Sequence, residues 1–221
     1  MPADGVVVTK PANLSYEEAA PVCDGALTSM SFLKDIAHIQ PGQHVLINGA
    51  SGSLGTAAVQ LAKHFGAVVT GVCSTANVAL VKSLGSDKVI DYTKEDFTNA
   101  GQSYDIIYDT VGKSSFSKCK STLKKNGLYI SPVLGLSLLF QMLFTAKSSG
   151  KKAMFSATGL RSAAELKPLL KELSTSFEAG AIRSVIDRRC SLDEAVEAHT
   201  YVDTGRKKGN VALTLTEYSK N

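Results

Sequence analysis

The stretch QHVLINGASGSLGTAAVQLAKHFGA (Gln43–Ala67) passes from an apolar run, through a glycine-rich turn, into a helical pattern. Val45–Asn48 reads as a strand. Leu54, Ala57, Ala58, Leu61, Ala62 and Phe65 recur at helical spacing, so a helix is expected from Ser53 to Phe65. Gly66 is placed to end it in a left-handed conformation. Gly49, Gly52 and Gly55 stand between strand and helix, a spacing that departs from the usual Gly-x-Gly-x-x-Gly. Glycines permit a tight turn and let a ligand approach the backbone without meeting a Cβ. A helix start offers free amides and the positive end of its dipole, which suits a diphosphate. A glycine string alone is weak evidence. Set between a strand and a helix, inside a repeating β/α chain, it points to dinucleotide binding over a plain helix-start turn.

The same alternation continues downstream. Strands are expected at Ala67–Cys73, Lys88–Tyr92, Tyr104–Thr110, Gly127–Ser131 and Lys152–Ala157, with helices at about Thr75–Leu84 and Ser114–Leu123. Such alternation means parallel strands with helical crossovers. The strands read as nearly continuous apolar runs, as they do in a sheet covered on both faces. The expected class is therefore α/β, a doubly wound parallel sheet of the Rossmann type. Upstream, Ser15-Tyr16-Glu17-Glu18 is a capping box, Pro21 breaks the chain near Val22–Gly25, and a helix follows over Ala26–Ala37. Beyond the core come an amphipathic helix at Ala163–Ala179 and a strand at Ile182–Asp187. A helix at Leu192–Thr204, capped by Ser191 and Glu194, and a strand at Asn210–Leu215 complete the pattern.

Composition narrows the function. The 221 residues are 44% hydrophobic and 20% charged, enough to bury a core of one large domain or of one domain and part of another. Twenty-four basic residues stand against 20 acidic ones, and a net charge of +4 is too mild for a nucleic-acid binder. The four cysteines form no CxxC pair, and the first residues carry no signal-peptide pattern, so a reducing, cytoplasmic setting is expected. The apolar run Val133–Phe144 is too short for a bilayer, which takes about 20 residues. It reads as a helix lining a cofactor cleft or a subunit contact. His38, His44, His64 and His199 are isolated, and no Ser–His–Asp grouping is arguable.

The end of the second strand is the other diagnostic position. An acid there holds an NAD ribose through its 2′-hydroxyl. No Asp or Glu occurs from Thr70 to Val81, whereas Ser74 and Thr75 can donate hydrogen bonds and Lys82 is the nearest cation. The absence of an acid favours NADP(H) over NAD(H). Tyr92 either touches the adenosine end or packs at the surface. Asp109 and Thr110 end the fourth strand on the ligand edge, and Asp109 either faces ligand or caps the next segment.

Six phrases, KPANLSYEEAAPV (Lys10–Val22), GALTSMSFL (Gly25–Leu33), Ile39–Ala67, LGSDKVIDY (Leu84–Tyr92), YDIIYDTVG (Tyr104–Gly112) and AHTYVDTGRKKGNVAL (Ala198–Leu213), carry a resemblance. They resemble the medium-chain dehydrogenase/reductase superfamily, in its zinc-independent branch of quinone oxidoreductases and related enone or aldehyde reductases. The resemblance implies that Gly52, Ser53 and Leu54 offer backbone contacts to a diphosphate, within a turn completed by Gly49 and Gly55. It implies that Ser74 and Tyr92 face the 2′-phosphate, that Thr28 approaches the nicotinamide end, and that Thr110 and Val111 border a ribose and the nicotinamide. Asn77 joins this cofactor-binding set, although with Ala76 it stands where family members often carry Lys or Arg. The implied chemistry is hydride transfer between NADP(H) and a small quinone, enone or aldehyde, with no catalytic side chain assigned. Asp24 stands where some zinc-dependent relatives place a ligand, but without paired His or Cys no metal is expected. Family members begin with a GroES-like substrate domain of roughly a hundred residues, an ordinary domain size. The expected organisation is a tail of that domain at 1–14, the Rossmann domain at 15–180, and at 181–221 a remnant that would complete the substrate domain. A homodimer is expected, paired through the edge strand KAMFSA.

Overall fold

The computed structural model describes residues 5–146, 150–156 and 161–215. Six parallel strands, β1 (His44–Asn48), β2 (Val68–Cys73), β3 (Lys88–Asp91), β4 (Tyr104–Asp109), β5 (Leu123–Ser131) and β6 (Lys152–Phe155), form one sheet in the order β3-β2-β1-β4-β5-β6. This is the doubly wound Rossmann order, and the strand sequence reverses direction between β1 and β4. Helices α1 (Tyr16–Ala19), α2 (Gly25–Met30), α3 (Ser53–His64), α4 (Val78–Ser83), α5 (Phe116–Cys119), α6 (Leu136–Ala146) and α7 (Ala163–Glu178) accompany it. A second, two-stranded parallel sheet joins β7 (Ile186–Ser191) to β8 (Asn210–Thr214), with α8 (Ala195–Asp203) between them.

The apolar strands are explained by two cores, one on each face. Side chains alternate across a strand. Val45, Ile47, Val69, Ile106 and Tyr108 pack with Leu27, Met30, Leu61, Leu173 and Phe177 from α2, α3 and α7. Leu46, Val72, Ile90 and Ile107 pack on the other face with Phe97, Phe116 and Leu138. Both faces are covered, so neither needs polar residues. Helix α7 leans on α2, whereas α1 touches β7 and β8.

Local signals held where short-range chemistry governs. Ser15 accepts from the Glu18 amide and Glu18 reaches back to the Ser15 amide. At α7 the Glu165 carboxylate accepts from the Ser162 amide (2.9 Å) and hydroxyl (2.8 Å), and before α8 Glu194 accepts from those of Ser191 (2.7 and 3.0 Å). Gly66 follows α3 with φ +78°.

Two expectations fail for tertiary reasons, and a third holds with a change of winding. The helix foreseen over Ser114–Leu123 contracts to α5, because β5 begins at Leu123, which pairs with Tyr104, and bulges before Leu128 resumes the ladder with Ile106. The strand foreseen at Ile182–Asp187 begins instead at Ile186. The Arg183 amide donates to Gln60 Oε1 (2.9 Å) and its carbonyl accepts from Gln60 Nε2 (3.0 Å), so the backbone there is already taken by a side chain of α3. The helix foreseen at Ala26–Ala37 starts at Gly25 and widens to a π-helical turn over Ser31–Ile36. Helix α6 does occupy the apolar run, with Leu138 buried but Leu136, Phe140, Leu143 and Phe144 exposed. Among the described residues no helix is long and apolar enough to cross a membrane.

Candidate functional site

The glycine turn lies at the carboxyl end of β1, at the point where strand order reverses. In open α/β sheets that crevice is where ligands bind. Gly49 takes φ +82°, and a Cβ there would sit 2.6 Å from Val111 Cγ1 and 2.7 Å from Thr110 Oγ1. A Cβ on Gly55 would overlap the Gly49 carbonyl oxygen. These two glycines let the turn close on itself and on the segment after β4. Gly52 differs. A Cβ there would meet one atom, Gly49 O at 3.5 Å, so its side faces open space.

Gly52 is also the N-cap of α3, and it has no side chain to cap with. The Thr56 amide makes the first intrahelical bond, to Gly52 O (2.9 Å). Among the described residues no protein acceptor takes the amides of Leu54 and Gly55, whereas Gly209 bridges Gly52 in parallel, its amide on Ser51 O and its carbonyl toward the Ser53 amide. A helix start leaves such donors to be satisfied by a side chain, water or ligand. No acid occupies the first turn. Two such amides beside a bare glycine fit a diphosphate, which presents acceptors and negative charge.

The other predicted residues surround this ledge. Gly25 of α2 lies against Ser53, and Ser29 Oγ donates to Leu54 O (2.9 Å), so α2 brings the buried Thr28 close to the start of α3. Thr110 donates through Oγ1 to Asn48 O (2.8 Å), and Val111 beside it is exposed. On the β2 side, Asn77 is buried and donates to Ser51 Oγ (3.0 Å) and Ser74 Oγ (3.3 Å), linking the glycine turn to the end of β2. Its Oδ1 is buried and has no partner among the described residues. Tyr92 follows β3, is 62% exposed, and its amide donates to Cys73 O (3.0 Å). Thr28, Thr110 and Val111 thus stand on one flank of the turn, and Ser74, Asn77 and Tyr92 on the other.

Thr75 is a correction to the local reading. Its hydroxyl donates to Asp91 Oδ2 (2.5 Å), and Thr93 donates twice to Oδ1. The Thr75 bond, ahead of those from Thr93, holds the Asp91 carboxyl down at about 2. An acid therefore reaches the end of β2 from the neighbouring strand, a placement that a scan of Thr70–Val81 cannot reveal. Asp109 is resolved as a cap: its carboxylate accepts from the amides of Gly112 (3.0 Å) and Ser114 (2.9 Å) and from Tyr129 Oη (2.9 Å).

The C-terminal segment contributes residues that sequence reading missed. The Gly209 amide donates to Ser51 O (2.8 Å), and Ser53 Oγ donates to Asn210 Oδ1 (2.5 Å). No local signal marks these contacts, because the partners are 157 residues apart in the Ser53–Asn210 pair.

Nucleophilic chemistry finds little support in the buried groups. Burial pushes the thiols of Cys73 and Cys119 up to about 11. Burial, with Asp109 beside it, raises the Tyr129 phenol well above its ordinary value, and burial does the same to Tyr108. These groups stay neutral at physiological pH. Asp24 caps α2 through its backbone only. Among the described residues no group of three or more His, Cys, Asp and Glu side chains converges, so the residues present do not fit a zinc centre. Two concavities lie elsewhere. One of 440 Å³, lined by Lys63, His64 and Arg183, sits at the far end of α3, about 15 Å along the helix from Ser53. One of 260 Å³ is lined by Val6, Val8, Leu14 and Leu170.

A family profile described as zinc-binding dehydrogenase matches residues 84–213. The chain is 34% identical over 212 residues to 2-methylene-furan-3-one reductase of Solanum lycopersicum, covering 94% of this chain and 49% of that protein. It is 32% identical over 235 residues to NAD(P)H oxidoreductase RTN4IP1, mitochondrial, of Mus musculus, covering 93% and 57%. Its fold is similar to the solved quinone oxidoreductase from Coxiella burnetii, with TM-score 0.82 and 27% identity over 94% of this chain and 63% of that one. The chain spans about half the length of the curated relatives it matches.

Proposed function

The chain belongs to the zinc-binding dehydrogenase family, in the quinone oxidoreductase-like branch of the medium-chain dehydrogenase/reductases, and we propose that it is the NADP(H)-binding domain of an oxidoreductase. The substrate class is a quinone, enone or aldehyde, and the reaction is hydride transfer to or from it. The observation that carries this reading is the helix start without a side-chain cap: the amides of Leu54 and Gly55 beside Gly52, at the switch point of the sheet.

In this reading the amides of Leu54 and Gly55 bind the diphosphate. Thr110, Val111 and Thr28 border the nicotinamide half, and Ser74, Asn77 and Tyr92 border the adenosine. The nicotinamide supplies the hydride when bound; the protein supplies position and polar contacts. Preference for NADP(H) is supported by the hydroxyls at the end of β2 and by the engagement of both Asp91 oxygens with Thr75 and Thr93. Residues 15–180 form the cofactor half of this proposal, while 1–14 and 181–221 belong to the substrate half. A cytoplasmic homodimer, joined at the β6 edge, completes it.

A second reading, cofactor binding without turnover by these 221 residues, is favoured by their spanning about half the length of the curated relatives they match. NADPH and NADH titrations followed by fluorescence, set beside NADPH oxidation with simple quinones, separate the two. NADPH binding with turnover is expected. Binding without turnover selects the second reading, and no binding at millimolar concentration defeats both.

A further inference from the structure

We propose that Asp109 is a positioning residue: its carboxylate holds the loop Thr110–Ser114 in the shape that receives the ribose and nicotinamide end of the cofactor. The proposal rests on the cofactor reading above. Asp109 is 0% exposed. Oδ1 accepts from Asn48 Nδ2 (3.0 Å), the Val111 amide (3.3 Å) and the Gly112 amide (3.0 Å). Oδ2 accepts from the Ser114 amide (2.9 Å) and Tyr129 Oη (2.9 Å). A buried carboxyl group is tolerated when donors surround it, and here five do so.

The arrangement ties three adjacent strands to one loop. Asn48 ends β1, Asp109 ends β4 and Tyr129 lies in β5. The loop they hold is wedged between two close approaches. A Cβ on Gly49 would strike Val111, and a Cβ on Gly112, at φ +66°, would lie 2.8 Å from Val133. Thr110 Oγ1 meanwhile bonds Asn48 O. Asp109 thus touches no ligand surface, yet fixes the backbone that carries Thr110 and Val111. Among the buried polar groups, it collects the amides that would otherwise be left without partners at the ligand edge.

Asparagine has nearly the same shape but turns two N–H groups toward a cluster made only of donors. In Asp109→Asn the amides of Val111, Gly112 and Ser114 should exchange at least about tenfold faster, equivalent to losing one charge-assisted bond. NADPH should bind about tenfold more weakly, as displacement of a binding loop implies. Leu173→Ala serves as the stability control, because Leu173 is a core residue of α7 in the cluster on the sheet face opposite Tyr129. It should lower Tm by a similar or larger amount while leaving NADPH affinity within about twofold, since distant sites behave independently. Should Asp109→Asn fail to fold, Tyr129→Phe removes a single donor and should still speed Ser114 and Gly112 exchange. Unchanged exchange in Tyr129→Phe, or an affinity loss in Asp109→Asn no greater than in Leu173→Ala, overturns the proposal. Exchange is read without ligand, so failure of wild-type protein to bind NADPH defeats the cofactor reading separately.

Discussion

The starts of α3 and α7 answer the same physical problem in opposite ways. Both must dispose of backbone amides that have no intrahelical partner. At α7 the chain supplies its own acceptors: the Glu165 carboxylate takes the Ser162 amide and the Ser162 carbonyl takes the Glu165 amide. At α3 no side chain does so, and Gly52 stands where a capping side chain would be. Capping with Ser, Thr, Asn or Asp is worth about 1 kcal/mol. A helix start without it, placed at the switch point of the sheet, forgoes that stabilisation and keeps a surface that an anion can use. The difference teaches that the site is recognised as much by what is left unsatisfied as by what is present.

Substitutions can break that contrast. The largest effect is expected at Gly55, where Ala would drive a Cβ into the Gly49 backbone. Gly55→Ala should cost about 3 kcal/mol by overpacking and lower Tm by about 6–12 °C, measured by thermal unfolding. Gly52→Ala sharpens the comparison, because Gly52 has an ordinary φ of −80° and open space around it. Stability should move by less than about 0.5 kcal/mol, as at other surface sites. NADPH affinity should nevertheless fall about tenfold, which is about 1.4 kcal/mol, because the new methyl covers the ledge. Ser162→Ala should do the reverse: a loss of about 1 kcal/mol in unfolding experiments with no change in NADPH affinity.

The smallest effect is one of pH. Glu165 is held below its ordinary value, first by the Ser162 amide and then by the Ser162 hydroxyl and Arg161. A depressed carboxyl contributes stability that is present above its unfolded value and is lost as pH falls through the folded one. Stability should therefore decline below about pH 4.5 in wild-type protein, and less steeply in Glu165→Gln. The start of α3 has no such group, so Gly52→Ala should leave the acid limb of the stability curve unchanged.

Much of this contrast was legible in the sequence. Ser-x-x-Glu before an apolar run and Gly-x-x-Gly-x-x-Gly after a strand both express short-range chemistry, and both folded as read. The parallel, doubly covered sheet followed from apolar β/α alternation. Long-range competition was not legible. Arg183 reads as part of a strand until Gln60 takes its backbone. Asp91 reads as the polar end of β3 until Thr75 is found bonded to it. Asn210 gives no hint that it meets Ser53, and Tyr129 sits among apolar residues with nothing to reveal Asp109 behind it. Neighbouring strands and the returning C-terminal segment create these contacts, and no window of local sequence contains both partners.

The central claim is that the amides opening α3 await an anionic ligand. Residue-resolved amide NMR during an NADPH titration tests it most directly. The account predicts that Leu54 and Gly55 shift and become protected from exchange, that pyrophosphate competes for them, and that Ala163, Ala164 and Glu165 at the start of α7 do not move. Saturable NADPH binding that leaves Leu54 and Gly55 unperturbed, or no binding at millimolar concentration, would contradict it.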